Sequence, residues 1–258
     1  MKIAISVVVK SILFFVFFVV SVGLLFPPDS LPPIFWRFFA ELIPMLIIMV
    51  VTLLFWFIDK RRFKLHLVDR PLYGTGVGIV SGILWLGGTI AILMILGALR
   101  FENSNHVELI GVWILAVFFN VVMQELLVRG YLYQMIKFRY NKLVATIVTT
   151  VLFTALHGQA FETGIVSVLN VLTMSLFMSV LLEYTNSLVA PIVIHFLWNA
   201  LGAVILGSVS LAPIYPNLLN PVFTGHTILV GSNGKIEDSI VVLVLNLVLM
   251  VYFLSRKK

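Results

Sequence analysis

The sequence predicts an all-α membrane protein, a polytopic bundle of about eight transmembrane helices with both termini in the cytoplasm. Three observations carry that reading. Of the 258 residues, 61% are hydrophobic and only 11% charged, where a soluble domain carries roughly 25% charged residues. Mean hydropathy is +1.12. The apolar residues gather into continuous runs of spanning length, and such runs satisfy their backbone in lipid as helices.

Eight spans follow in order. The first, about 3–26, is built on ILFFVFFVVSVGLLF. No small-residue cleavage site precedes FPPDSLPP, so it reads as a retained helix and not a signal peptide. The second, about 35–58, carries Arg37, Glu41 and Pro44. The third, about 75–99, contains TGVGIVSGILWLGGTIAI, whose small residues suit close helix packing. The fourth, about 108–136, holds VVMQELLVRGYLYQ, and the others lie at about 143–158, 164–182, 188–207 and 239–254. No polar stretch is large enough for a second domain, so 1–258 reads as one integral-membrane domain. Within 208–238, APIYPNLLNP and VGSNGKI read as a surface-lying segment followed by a turn.

Charge orients the spans. Lys2, DKRRFKLHLVDR at 59–70, KFRYNK at 137–142 and the terminal SRKK all fall on one side of an eight-span chain. The opposite loops hold few basic residues, which puts both termini in the cytoplasm. The net charge of +6 thus reads as topology, with no nucleic-acid partner. With no cysteine, disulfides, thiolate catalysis and cysteine metal sites are excluded.

Ionisable groups at the bilayer centre cost about 2.5–3.5 kcal/mol on insertion scales, so deep polar residues need a reason. They are Asn120, Gln124, Glu125 and Arg129 on the fourth span, His157 on the fifth, and His195 and Asn199 on the seventh. Glu125 and Arg129 are four apart with the acid first, the favourable order on one helix face. Asn120 with Gln124, and His195 with Asn199, repeat the spacing. At about 1.5 Å per residue, Glu125, His157, His195 and Asn199 fall roughly 10–21 Å from the cytoplasmic ends of their helices, which predicts one buried polar cavity. A bland reading stands beside it: an ion pair that lets a helix insert, packing histidines and interhelical asparagine.

These residues resemble a family. QELLVRG is similar to the E-E-x-x-x-R motif of the CAAX prenyl protease and bacteriocin-processing (CPBP, Abi) family, FTALH to its F-x-x-x-H motif, and HFLWN, after Pro191, to its H-x-x-x-N motif. The resemblance covers about 108–207, a CPBP/Abi-like catalytic core. It implies an eight-helix intramembrane endopeptidase in a bacterial or archaeal cell membrane, surrounded by lipid. Its substrate would be a membrane-associated peptide or protein, such as a prenylated CAAX tail or a bacteriocin-like peptide. Carried over by motif, Gln124 takes the place of the acid that activates water, with Glu125 and Arg129 as the supporting pair. His157 assists water activation, while His195 and Asn199 polarise the scissile carbonyl and stabilise its oxyanion.

One departure matters. Where the family usually has its first Glu, this chain has Gln124, and an amide is no general base. Three readings stay open: a substitution that traps substrate, a non-catalytic member acting as a bacteriocin self-immunity or peptide-binding protein, or His157 as the base. No cofactor is expected; zinc, with His157 and His195 among its ligands, is the alternative, although H-E-x-x-H is missing. A proton-coupled carrier is a third class, and neither repeats nor interrupted helices encourage it.

Overall fold

The computed structural model describes residues 2–231 and 234–256. Lys257 and Lys258 of the basic C-terminal cluster, the side chain of Lys2, and Ser232 and Asn233 of the expected turn lie outside the described residues. In chain order the helices are α1 (Lys2–Gly23), α2 (Pro33–Ile58), α3 (Pro71–Ile95), α4 (Ile110–Arg139), α5 (Lys142–Leu156), α6 (Gly158–Thr163), α7 (Ile165–Thr185), α8 (Val189–Ile205), α9 (Thr227–Val230) and α10 (Ile240–Arg256). Among the described residues α1, α2, α3, α4 and α7 are long and apolar enough to cross a membrane, and α5, α8 and α10 are shorter apolar helices. Each of the eight predicted spans has its helix. The chain is an all-α, polytopic integral membrane protein.

Prolines start these helices where their missing N–H is harmless. Pro33 and Pro71 take the first position of α2 and α3, and Pro191 falls in the first turn of α8. The hydropathy pattern did not foresee a small antiparallel ribbon, β1 (Leu99–Ser104) with β2 (Leu219–Phe223). It pairs Leu99 with Phe223 and Phe101 with Pro221, and its register shifts before Ser104. Part of the expected surface-lying segment is therefore strand. Pro221 is tolerated because a two-stranded ribbon has only edges, where a missing donor need not interrupt a ladder.

The chain forms two compact units: residues 1–67 with 111–149, and 68–110 with 150–258. The first holds α1, α2 and nearly all of α4. Its core packs Phe14 on Tyr131 (ring centroids 5.3 Å) and on Phe55 (5.4 Å). Beside it the buried Asp59 accepts from Tyr131 Oη at 2.7 Å, pairs with Lys10, and lies 3.8 Å from Arg139. One carboxylate thus ties α1 to the C-terminal ends of α2 and α4.

In the second unit α3 packs on α8 and α7 on α10. Gly74, Gly78 and Gly82 recur every four residues along α3 and face Val189, Val193 and Leu197 of α8. The expected use of small residues for close packing is met at this seam. Trp85 stacks on Trp198 at 3.9 Å, with Phe177 edge-on at 6.2 Å. Asn170 of α7 donates to the main-chain oxygens of Glu237 (2.7 Å) and Ser239 (2.9 Å), and Asn246 of α10 donates to Thr173 Oγ1 (2.9 Å). Asn170 thus pins the segment before α10 to α7, and Asn246 ties α10 to α7.

Candidate active site

In the first unit α4 brings together Asn120, Gln124, Glu125 and Arg129. Glu125 and Arg129 are fully buried, and Arg129 Nη1 donates to Glu125 Oε2 at 2.9 Å. The predicted four-residue pair is present, but in a helix that is not uniform. Directly after Glu125 the backbone widens into a π-helical stretch, Leu126–Gly130, which includes Arg129. Such wide turns are rare and concentrate at functional sites, because they re-aim the side chains around them.

Gln124 belongs to a chain of directed hydrogen bonds. Its Nε2 donates to Asn120 Oδ1 at 2.6 Å, Asn120 Nδ2 donates to Glu41 Oε2 at 2.8 Å, and Glu41 Oε1 accepts from Arg37 Nη1 at 3.1 Å. The direction follows from the inventory of groups. A carboxylate beside Arg37 can only accept, so Asn120 turns its NH2 toward Glu41 and its oxygen toward Gln124. Gln124 must then present its NH2 to Asn120. Its Oε1 is left buried, with no hydrogen-bond partner among the described residues. Arg37 and Glu41 were not among the residues expected at the site, since in the sequence they look like a flank of the second span. The signal for them is an acid and a base four residues apart inside an apolar run.

In the second unit the two histidines meet at one ring. His157 and His195 lie 4.2 Å and 6.1 Å from the buried Phe153, centroid to centroid. His157 sits one residue beyond the end of α5, at φ −96° and ψ 54°, and not within the helix as the span 143–158 implies. The chain turns there before the short α6. His157 Nδ1 contacts the main-chain oxygen of Phe153 at 2.8 Å. A carbonyl oxygen only accepts, so Nδ1 carries the proton and a neutral ring keeps its lone pair on Nε2.

His195 and Asn199 are buried on α8, four residues apart, which puts them on one face. As on α4, a π-helical stretch follows the motif at once, here Ala200–Ile205. The glycine seam with α3 fixes the height and rotation of α8, and hence of this pair.

The family described as Rce1-like, type II CAAX prenyl endopeptidase Rce1-like, matches residues 106–201. That interval contains all six motif residues, from Gln124 to Asn199. This segment is Rce1-like. The Rce1-like segment takes in α4 to α7 and most of α8, so the resemblance drawn from the three motifs is borne out at the level of the family. It marks the chain as akin to CAAX-processing membrane endopeptidases. No curated protein matches the chain, and neither does any solved structure.

Zinc fits this donor set poorly. Catalytic zinc takes three protein ligands and a water. Among the described residues no three His, Asp, Glu or Cys side chains are grouped to hold a metal ion. Position 124 offers an amide where a carboxylate ligand would stand.

Proposed function

We propose that the chain is an intramembrane endopeptidase that hydrolyses a peptide bond of a membrane-associated peptide or protein, with His157 as the base. The substrate class is a prenylated CAAX tail or a bacteriocin-like peptide, in a bacterial or archaeal cell membrane. The observation that carries this reading is the 2.8 Å contact between His157 Nδ1 and the Phe153 oxygen. It makes Nε2 the accepting nitrogen of the ring, which is what a general base must offer. Water gives one proton to Nε2 as its oxygen bonds to the scissile carbonyl carbon, whose π electrons move onto the carbonyl oxygen. His195 and Asn199 donate to that oxyanion, and one such donor in a dry site is worth about 2.7–4 kcal/mol. When the tetrahedral centre collapses, the C–N bond breaks and the proton on His157 passes to the leaving amine.

Gln124 takes no proton in this scheme, since an amide is no general base. Glu125 and Arg129 are a buried pair on the same helix. A second reading, a binding or bacteriocin self-immunity protein that does not cut, is favoured by Gln124 itself, since an amide replaces the family's acid. The two separate in one experiment. The native chain and its His157→Ala and Gln124→Glu variants are expressed in one host, and membrane-peptide termini are compared by mass spectrometry. Termini made by the native chain and lost with His157→Ala are the expected result. If only Gln124→Glu makes new termini, the native chain is a silenced protease and the base assignment fails. Identical termini in all three, with all three inserted, would favour the binding reading.

A further inference from the structure

We infer that Glu41 is a positioning residue: acting through Asn120, it dictates that the side chain at 124 be a donor, so that a carboxylate can stand at 41 or at 124 but not at both. The inference uses residues of the first unit alone and does not rest on the protease reading.

Asn120 lies between two side chains and has one donor end and one acceptor end. Glu41 Oε2, 2.8 Å from Nδ2, takes the donor end. Arg37 Nη1, 3.1 Å from the other carboxylate oxygen, holds Glu41 in place. The acceptor end of Asn120 is therefore committed to position 124, where Gln124 Nε2 meets it at 2.6 Å. An ionised glutamate at 124 would set a carboxylate oxygen against Asn120 Oδ1 with no hydrogen between them. Turning Asn120 over does not help while Glu41 stays, because Oδ1 would then oppose Glu41 Oε2. Partly buried acceptors facing each other without a donor lose hydration and gain no bond in return.

The arrangement also has a directional consequence. With its NH2 held by Asn120, the residue-124 amide presents Oε1, buried and without a partner, as an acceptor for an N–H or O–H of a ligand. The departure of this chain from the family's first glutamate is thus matched by a carboxylate on α2. Neutralising Glu41 is the condition for putting an acid back at 124.

A double-substitution cycle tests this on the full chain in lipid nanodiscs, read by thermal melting. The four proteins are the native chain, Gln124→Glu, Glu41→Gln, and both together. Each single variant is expected to melt several degrees lower: Gln124→Glu because two acceptors meet, Glu41→Gln because Arg37 loses its carboxylate partner. In the double variant Asn120 can turn over, donating to the new glutamate and accepting from the new glutamine. The combined loss should then be clearly smaller than the sum of the single losses. Additive losses, or a Gln124→Glu protein that melts with the native chain, overturn the inference.

If Gln124→Glu does not fold, Asn120→Asp supplies a second arm. It places a carboxylate against Glu41, and adding Glu41→Gln gives that aspartate a donor on each side. Recovery of melting temperature in Asn120→Asp with Glu41→Gln is expected, and no recovery overturns the assignment. Melting does not depend on cleavage, so a chain that cuts nothing can still pass or fail here.

Discussion

His157 Nδ1 and the main-chain oxygen of Phe153 are 2.8 Å apart, so the aromatic residue and the histidine of the second motif act as one device. The main chain sets the tautomer, and the Phe153 ring lies 4.2 Å from His157 and, edge-on, 6.1 Å from His195.

His157→Ala should lower cleavage by about 10²–10⁴-fold, the range a positioned acid–base group supplies, with little change in melting temperature. His157 is only half-buried, so its removal leaves no large cavity. Single-turnover cleavage of a lipid-reconstituted peptide, alongside a melt, checks both halves. An unchanged rate would remove histidine as the base.

The Glu125–Arg129 pair predicts a different signature. Both side chains are wholly buried and 2.9 Å apart. Arg129→Met should destabilise by about 3–5 kcal/mol, because it removes one partner of a buried ion pair. Replacing both residues with leucine should cost much less, since no charge is then left behind. Melting of the two variants in one detergent decides it; equal losses would mean that packing, not charge, dominates.

Much of this was legible in the sequence, for identifiable reasons. The spans were readable because lipid admits few backbone solutions. Glu125 and Arg129 were readable because an acid and a base four apart in an apolar run are costly to insert unless they pair. The same logic covers Arg37 and Glu41, but their place near the start of α2 makes them look like a flank. The π-helical widening after Glu125 and after Asn199 was not readable, since residue type and spacing leave no mark of one extra residue per turn. The ribbon was missed because Leu99 closes an apolar run and Pro221 argues against a strand. The segment before α10 is held by Asn170 of α7, and spacing along the chain cannot report that.

That segment gives a pH prediction. Burial pushes the Glu237 carboxyl above its ordinary value, although the main-chain N–H of Ser210 donates to it at 2.9 Å. A raised carboxyl means that the folded state holds its proton more tightly than the unfolded chain. Its contribution to stability is present at acid pH and is lost as pH rises from about the unfolded value through the raised one. Glu237→Gln can still accept from Ser210 and never carries charge. It should therefore melt above the native chain at about pH 8, with the gap closing toward the ordinary carboxyl value of 4.5. Lys235, held down by burial, moves the other way: its penalty is full at low pH and relieved as pH rises toward 10.5. A gap for Glu237→Gln that widens on acidification would contradict the assignment.

The seam between α3 and α8 links packing to chemistry most directly. A Cβ added at Gly78 would lie 2.7 Å from Val193 Cβ and 3.0 Å from the Ala190 oxygen. Neither atom is the end of a flexible side chain, so the two helices must move apart. Overpacking of this kind costs about 1–3 kcal/mol, against a gain of about 0.5–1 kcal/mol from replacing glycine in a helix. Gly78→Ala should therefore lower the melting temperature and also weaken cleavage, because Val193 is two residues from His195 on the displaced helix. Gly76 is the control: it lies on the same helix, with nothing within 4 Å of an added Cβ. Gly76→Ala should be neutral or slightly stabilising and leave cleavage intact. If both alanines behave alike, helix propensity governs α3, and the glycine seam does not set the position of His195 and Asn199.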